Sequence, residues 1–548
     1  MFQPAPVHGG GAPPWTGALA VFVPVLSIYL LLRPPLFNYD GYTYRLQALR
    51  PFQDDSINSH HLLWYPIQRA IAGVAAAVGS PSPEAFQLFG ILINSVSLAL
   101  FCLLLVRLTN RLAVPLAMTI FIAFSPRVWS LGLQNQPYPW LDFFVVAFLW
   151  TVAERAAPSR LRLAAGGLAL ASAVMLQQAM ALVVPAVAAG FILAGAGPFK
   201  DRLKLAAIWA SGTTLVVAAV YAVMARAAGV GPAGFWHWTM AYLYDQHGIQ
   251  LHWLQSPIKS AIGVTGTLLE TAWVRDMFNR QKNGEAVWLL YGSLLVAGCA
   301  VVVAFGCRHS VRERVKCLWH SNTPVVMLAL AWSAFVFLWE PAGKYWSVEL
   351  FPVALLASLW LRESRKRTAL WVAGVLVAVS GWNLYANHRQ DVAYSVNYPP
   401  PLLEQIRGQL GPEDVFIVAG RDWYAGIDYN LLLDCLDDWP RNPAMALLDE
   451  CVKPGLRGPW QQKLDLDIRA ALAAGGRVFV ADHVFWAESY WDIDRSADPF
   501  SEYARPEFAG VDGERLRSEI KSFFGRYQLT ESGFKIATDE FWELKPIE

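Results

Sequence analysis

Residues 86–106 read FQLFGILINSVSLALFCLLLV, and the next residue is Arg107. A run of this length with no charge is enough to cross a hydrocarbon core about 30 Å thick. A basic residue at its end marks the cytoplasmic side. The pattern recurs along the chain. Apolar stretches predict spanning helices near 15–33, 86–106, 113–131, 138–153, 163–178, 180–196, 204–226, 286–306, 323–339, 346–361 and 369–385, eleven in all.

Composition agrees. Of 548 residues 55% are hydrophobic and 16% charged, with 24 Trp and a net charge of +1, against about 25% charged residues in soluble domains. Such a chain is too apolar to be disordered. It has no net positive field for phosphate backbones, which excludes a nucleic-acid partner. The charge divides unevenly. Residues 1–385 carry 27 basic and 15 acidic side chains, and residues 386–548 carry 17 basic and 28 acidic ones. This predicts an apolar, mildly basic membrane body followed by an acidic, water-soluble domain. Residues 1–14 hold no Lys or Arg and the first apolar stretch ends in Arg33-Pro34-Pro35, so no cleavable leader is expected.

Sidedness follows from the short loops. Segments 107–111, 155–162, 200–204, 308–316 and 362–367 alternate along the chain and together hold 16 basic residues, which places them in the cytoplasm. The opposite face then receives loop 34–85, segment 132–138, loop 227–285, segment 340–345 and the domain 386–548. The N-terminus is expected inside and the C-terminal domain outside, in an integral plasma or inner membrane. The run 62–79 is long enough to be read as another span. It contains Gln68 and Arg69 and ends in Gly79-Ser80-Pro81, so an amphipathic helix on the outer surface is preferred.

The carboxylates of the body gather on the outer face. They include Asp40, Asp54, Asp55, Glu84, Asp142, Asp245, Glu270, Asp276, Glu340 and Glu349. Ionisable groups at membrane depth are costly and usually functional, although for any single loop acid simple solvation is the alternative. The first outer loop reads Asp40-Gly41-Tyr42, then Asp54-Asp55, then His60-His61-Leu62-Leu63-Trp64-Tyr65-Pro66. The second carries Gln136-Pro137-Tyr138-Pro139-Trp140-Leu141-Asp142. A late one reads Glu340-Pro341-Ala342-Gly343-Lys344-Tyr345-Trp346.

In their order and sidedness these motifs resemble the GT-C glycosyltransferases that use polyprenyl-phosphate sugars. The protein O-mannosyltransferases and lipid A aminoarabinose transferases are the nearest in pattern. The resemblance covers residues 15–385. It implies a GT-C-like catalytic body and a transferase that moves a sugar from a polyprenyl-phosphate carrier to a hydroxyl acceptor. It makes Asp40 the match for the catalytic base. Tyr42, Asp54, Asp55, His60, His61, Arg127, Gln136, Asp142, Lys344 and Tyr345 are the expected substrate-binding residues. Two departures are visible: Gly41 stands where the family often has Glu, and His60-His61-Leu62-Leu63 replaces a Lys-Pro-Pro stretch.

The chemistry accounts for these residue types. A hydroxyl is a weak nucleophile, so a placed carboxylate must take its proton. A single displacement inverts the anomeric centre and needs no second, nucleophilic carboxylate. Charge grows on the departing lipid phosphate, and a fixed cation such as Lys344 or Arg127 stabilises it. Snorkelling to the headgroups explains Arg127 equally well. Asp40, Asp54, Asp55 and His60 are the set that would hold a divalent cation, Mg²⁺ or Mn²⁺, if one is used. The spacing fits no zinc pattern, and contact of His60 and His61 with substrate or headgroups is preferred. In loop 227–285, His237, Asp245, His247 and His252 stand among Trp and Tyr residues that suit an aromatic belt or a sugar-binding lid.

The C-terminal domain predicts helices at 402–410, 464–474 and 514–527. Strands are expected at 414–420 and 477–482, with an edge strand at 541–544: a small α/β domain after a polar connector at 386–400. A bridge between Cys435 and Cys451 is preferred over two thiols, because that side is oxidising. Three rival functions remain open. One is a transporter or flippase for lipid-linked sugars, although repeated halves are not seen. The others are a ligase using a lipid-pyrophosphate glycan and a scaffold without catalysis.

Overall fold

The computed structural model describes residues 14–34, 59–78, 83–153, 159–194, 198–241, 256–269, 311–339, 345–362, 364–394, 399–418, 444–447, 460–485, 513–536 and 539–547. The chain divides into two compact units, residues 1–391 and 392–548.

The first unit is helical. Helix α1 (Pro14–Leu32) packs along α3 (Pro83–Thr109), with the short helix α2 (Trp64–Ala77) between them in sequence. Both α1 and α3 open on a proline, whose missing N–H costs nothing in a first turn. Helix α3 stops at Asn110, which takes a left-handed φ of 54°, the conformation that Asn tolerates at a helix end. Next come α4 (Ala113–Ala123), α5 (Pro126–Gly132), α6 (Tyr138–Val152) and α7 (Arg160–Leu176). The Ser159 hydroxyl caps α7 by accepting the Arg162 N–H at 3.3 Å. Helices α8 (Val183–Ala194), α9 (Phe199–Ala227), α10 (Phe235–Ala241), α11 (Ser256–Leu268), α12 (Val311–Trp339), α13 (Trp346–Arg362) and α14 (Lys366–Tyr394) complete the unit.

Among the described residues four helices are long and apolar enough to cross a membrane: Trp15–Leu32, Ala85–Thr109, Phe199–Ala227 and Lys366–Arg389. Shorter apolar helices are Tyr138–Val152, Gln178–Leu193 and Asn322–Leu338. The expected spans 163–178 and 346–361 are the helices α7 and α13, and 286–306 lies outside the described residues. The stretch 113–131, expected as a span, is α4 and α5, which are long and apolar enough together but bent by 63°. Pro126 disfavours a helical residue before it, and Ser125 is extended, with ψ at 140°. Helix α12 is likewise broken, at Asn322, two residues before Pro324. Residues 386–394, expected in a polar connector, continue α14.

Close approach fixes some of the packing. A Cβ on Gly190 of α8 would lie 2.7 Å from Pro324 Cα of α12, so the backbones meet there through glycine. One on Gly132, the last residue of α5, would lie 2.0 Å from Asn94 Nδ2.

The second unit holds a five-stranded mixed sheet in the order β2-β1-β3-β5-β4. Its strands are β1 (Val415–Val418), β2 (Ala444–Leu447), β3 (Val478–Ala481), β4 (Tyr527–Ile536) and β5 (Asp539–Pro546), and its helices are α15 (Pro399–Gln409), α16 (Trp460–Ala473) and α17 (Gly513–Phe524). Strands β1 and β3 are buried throughout, as apolar runs in the parallel part of a sheet should be. The expected edge strand at 541–544 is part of β5, which pairs with β3 on one side and β4 on the other. The edges are β2 and β4, and the alternating polar sequence of β4 gives it no buried signature. Asp414, just before β1, accepts the Arg477 N–H at 2.7 Å and its Nη2 at 2.6 Å. These bonds tie the starts of β1 and β3 together.

Candidate functional site

Several buried polar residues of the helical unit lie on α2 and the turn before it, on the α5–α6 turn, at the end of α7 and at the start of α13, segments joined by contacts one to the next. The first segment is a single turn, Ser59–His61, ahead of α2. Its docking depends on how α7 ends. Gln177 leaves the helix with an extended backbone (φ −145°, ψ 100°), and the last carbonyls of α7 are left to outside donors. Leu63 N–H reaches Met175 O at 2.9 Å, and His61 Nδ1 lies 2.6 Å from Leu176 O. The rings of His60 and His61 touch at 4.4 Å between centroids, and both residues are buried.

Helix α2 turns a buried face of Trp64, Tyr65, Gln68, Ile71 and Ala75 inward. Gln68 and Asn135 exchange two amide hydrogen bonds, at 2.8 and 2.9 Å. The pair fixes α2 to the turn that precedes α6, with buried Gln136 next in the chain. Gln87 donates to Pro34 O at 3.0 Å and to Leu133 O at 2.7 Å, which binds the end of α1 to the same turn.

Tyr138 opens α6, and Tyr345 directly precedes α13; their rings lie 6.2 Å apart. Tyr345 is enclosed by Trp332 and Phe335, and its carbonyl accepts Trp332 Nε1–H at 2.9 Å. Asp142 follows Tyr138 by four residues and Glu349 follows Tyr345 by four, so each carboxylate sits one turn along its helix from the aromatic contact. Both are buried. Ser333 reaches the Glu349 carboxyl group. Asp142 Oδ1 and Glu349 Oε2 have no hydrogen-bond partner among the described residues. Asp142 also lies within electrostatic reach of Tyr29. The Tyr29 hydroxyl donates to Ala123 O at 2.5 Å and accepts from Asn94 Nδ2 at 3.4 Å.

Of the expected site residues, Asp40, Tyr42, Asp54, Asp55 and Lys344 lie outside the described residues, as do Cys435 and Cys451. His60, His61, Gln136, Asp142 and Tyr345 are described and buried, on the segments that meet here. Arg127 is half-buried, second in α5 just past the bend. Among the described residues no three His, Cys, Asp or Glu side chains gather as a metal site. Of the set expected for a cation only His60 is described.

Four residues of this region are not among the expected substrate-binding residues, although Glu349 is one of the expected outer-face carboxylates. Asn94 is an amide in the middle of an apolar span. Glu349 is an acid inside one, and Gln177 ends another. Gln68 had been read only as a mark against a span. Buried polar groups are retained where they are hydrogen-bonded or used. Partnerless carboxylate oxygens in an apolar bundle are acceptors for hydroxyls, ammonium groups or protons.

No family model and no curated protein matches the chain. Among solved structures it is similar to ArnT from Cupriavidus metallidurans bound to undecaprenyl phosphate, at 11% identity and a TM-score of 0.49, over 96% of this chain and 98% of that one. It is also similar to the Archaeoglobus fulgidus oligosaccharyltransferase in complex with Zn and sulfate (14% identity, TM-score 0.47, 96% of this chain and 73% of that one). A third is archaeal AglB from Archaeoglobus fulgidus with an inhibitory peptide and a dolichol-phosphate (12% identity, TM-score 0.45, 96% and 74%). None of these likenesses assigns a function to this chain.

Proposed function

We propose that this chain is an integral membrane glycosyltransferase of the GT-C kind, with eleven spans, a cytoplasmic N-terminus and an extracytoplasmic C-terminal α/β domain. It moves a sugar from a polyprenyl-phosphate carrier to a hydroxyl acceptor on the outer face. The observation that carries the reading is a set of buried polar side chains on the turn before α2, on α2, on the α5–α6 turn, in α6 and at the start of α13, segments that contact one another in the helical unit. It is built from His60–His61, Gln68–Asn135–Gln136, Asp142, Tyr345 and Glu349. It falls on three of the outer segments that the basic loops define, and on the motifs that resemble the family.

In this reading Asp40 takes the acceptor's proton as its oxygen attacks the anomeric carbon. The bond to the lipid phosphate breaks on the opposite face, and Lys344, with Arg127 nearby, stabilises the charge that collects there. Asp142 and the amides of the second loop orient the sugar. A divalent cation, Mg²⁺ or Mn²⁺, if bound by the first-loop acids and His60, would add charge for the phosphate. The test is to incubate purified protein with radiolabelled polyprenyl-phosphate hexoses and pentoses, and separately with lipid-pyrophosphate glycans, together with lipid and peptide hydroxyl acceptors. Transfer from the monophosphate donors is expected. Transfer from pyrophosphate donors alone, or movement of lipid between leaflets without transfer, overturns the reading.

A further inference from the structure

Gln177 sits at the break between α7 and the turn Gln178–Leu182. It is 1% exposed, and neither its Nε2 nor its Oε1 has a hydrogen-bond partner among the described residues. A buried amide with an empty donor and an empty acceptor is costly, and nothing local requires one here. The backbone at 177 is extended and any residue adopts it. The side chain caps no helix. An apolar residue of the same size would fill the space.

The surroundings are polar. The residue just before Gln177 gives its carbonyl to His61. The residue just after it, Gln178, donates Nε2–H to Thr239 O at 2.7 Å. That bond holds α10 against the break, and α10 also packs on the turn carrying His60 and His61. The Thr239 hydroxyl is buried and likewise has no partner among the described residues. Three chain segments that carry an amide, a hydroxyl and an imidazole pair thus contact one another at the break, and no Lys, Arg, Asp or Glu lies within two residues of Gln177, Thr239 or His61 in the sequence.

We infer that Gln177, with Thr239, is a sugar-hydroxyl subsite. The amide offers one donor and one acceptor to adjacent ring hydroxyls, and the Thr239 hydroxyl offers a further donor or acceptor. A neutral set of this kind suits the uncharged glycosyl group and not the phosphate of a carrier. The inference rests on the transferase reading only for the source of that sugar. A site built to hydrogen-bond a hydroxyl discriminates strongly against the ligand lacking it. Gln177 would therefore set which sugar is accepted.

The test separates stability from binding. Gln177→Leu and Gln177→Met remove the partnerless amide while keeping the volume, so the thermal midpoint of the full chain without ligand should hold or rise. Wild-type protein should be stabilised further by a polyprenyl-phosphate hexose or pentose than by polyprenyl phosphate alone. Both variants should lose that sugar-dependent increment and keep the lipid-dependent one, with the donor KM raised about 10-fold. Mono-deoxy donors should discriminate in the wild type and not in the variants. An increment retained in both variants, or one absent from the wild type with every hexose and pentose tried, overturns the subsite. If increments behave as expected but no acceptor is ever glycosylated, the subsite stands and the transferase reading falls. Transfer with donor KM and deoxy-discrimination unchanged in both variants has the opposite meaning.

Discussion

Trp129 donates its indole N–H to Asp391 Oδ2 at 2.7 Å. Asp391 is the last of three polar residues spaced four apart on α14. Asn387 donates to Phe124 O at 3.1 Å and Asn383 to Leu268 O at 2.9 Å. The ladder holds the α4–α5 bend from both sides: the carbonyl that the bend frees is taken by Asn387, and the helix beyond it is anchored by Asp391.

Breaking one rung should be costly. Asn387→Leu leaves the buried Phe124 carbonyl without its donor, and the expected loss is about 1–3 kcal/mol. Thermal unfolding of purified protein in detergent measures it. An unchanged midpoint would mean that the carbonyl finds another donor.

Gly190→Ala places a methyl against the backbone of Pro324, which cannot rotate away. Overpacking of this kind costs about 1–3 kcal/mol. Gly212→Ala in α9 is the control. Its Cβ meets nothing within 4 Å, and helix propensity favours Ala over Gly by about 1 kcal/mol. The two substitutions should shift the midpoint in opposite directions.

The Asp414–Arg477 linkage predicts acid sensitivity in the C-terminal unit. Burial opposes ionisation of Asp414, but hydrogen bonds from the Arg477 side chain and backbone and from the Gly411 N–H outweigh it. They hold the carboxyl below the usual carboxylate range. A group lowered in the folded state stabilises fully above its unfolded value, about 3.9, and loses that contribution as pH falls through the folded value. Hydrogen exchange at Val415–Val418 and Val478–Ala481, corrected for intrinsic rates, should show this. Asp414→Asn should be less protected than wild type at neutral pH, and the gap should close on acidification. A gap that widens would refute the linkage.

Asp40→Asn keeps the size of the proposed base and removes its basicity. Turnover should fall by about 10²–10⁴, with yield and carrier-lipid binding little changed. Near-wild-type turnover with a verified donor and acceptor would move the role to Asp54, Asp55 or Asp142.

Much of the architecture was legible because it is written in apolar length and in buried strands. Val415–Val418 and Val478–Ala481 are continuous apolar runs and were expected where they lie. Strand β4 was missed because its residues alternate between solvent and sheet without an apolar surplus, so its pairing to β5 supplies what its composition does not. The bend at Ser125 was signalled by Pro126 but hidden inside a stretch long enough to be read as one span. In the site, charge was visible and neutral polarity was not. Asp142 was picked out as an acid, whereas Gln177 and Asn94 were single amides in apolar runs and became distinctive only once their burial was known. The pairing of Tyr138 with Tyr345 joins residues more than 200 positions apart, which no local pattern encodes.

The clasp on the α4–α5 bend has a consequence in time. Phe124 and Asn387 are separated by 263 residues. A ribosome making this chain finishes the elbow's own residues long before the helix that completes it. Until α14 is synthesised, the freed carbonyl lacks its Asn387 donor and must take water or a neighbouring donor. The elbow is therefore among the last parts of the bundle to mature. Nascent chains truncated before residue 383 should carry it unfinished, and a protease or membrane quality-control factor would meet it in that form.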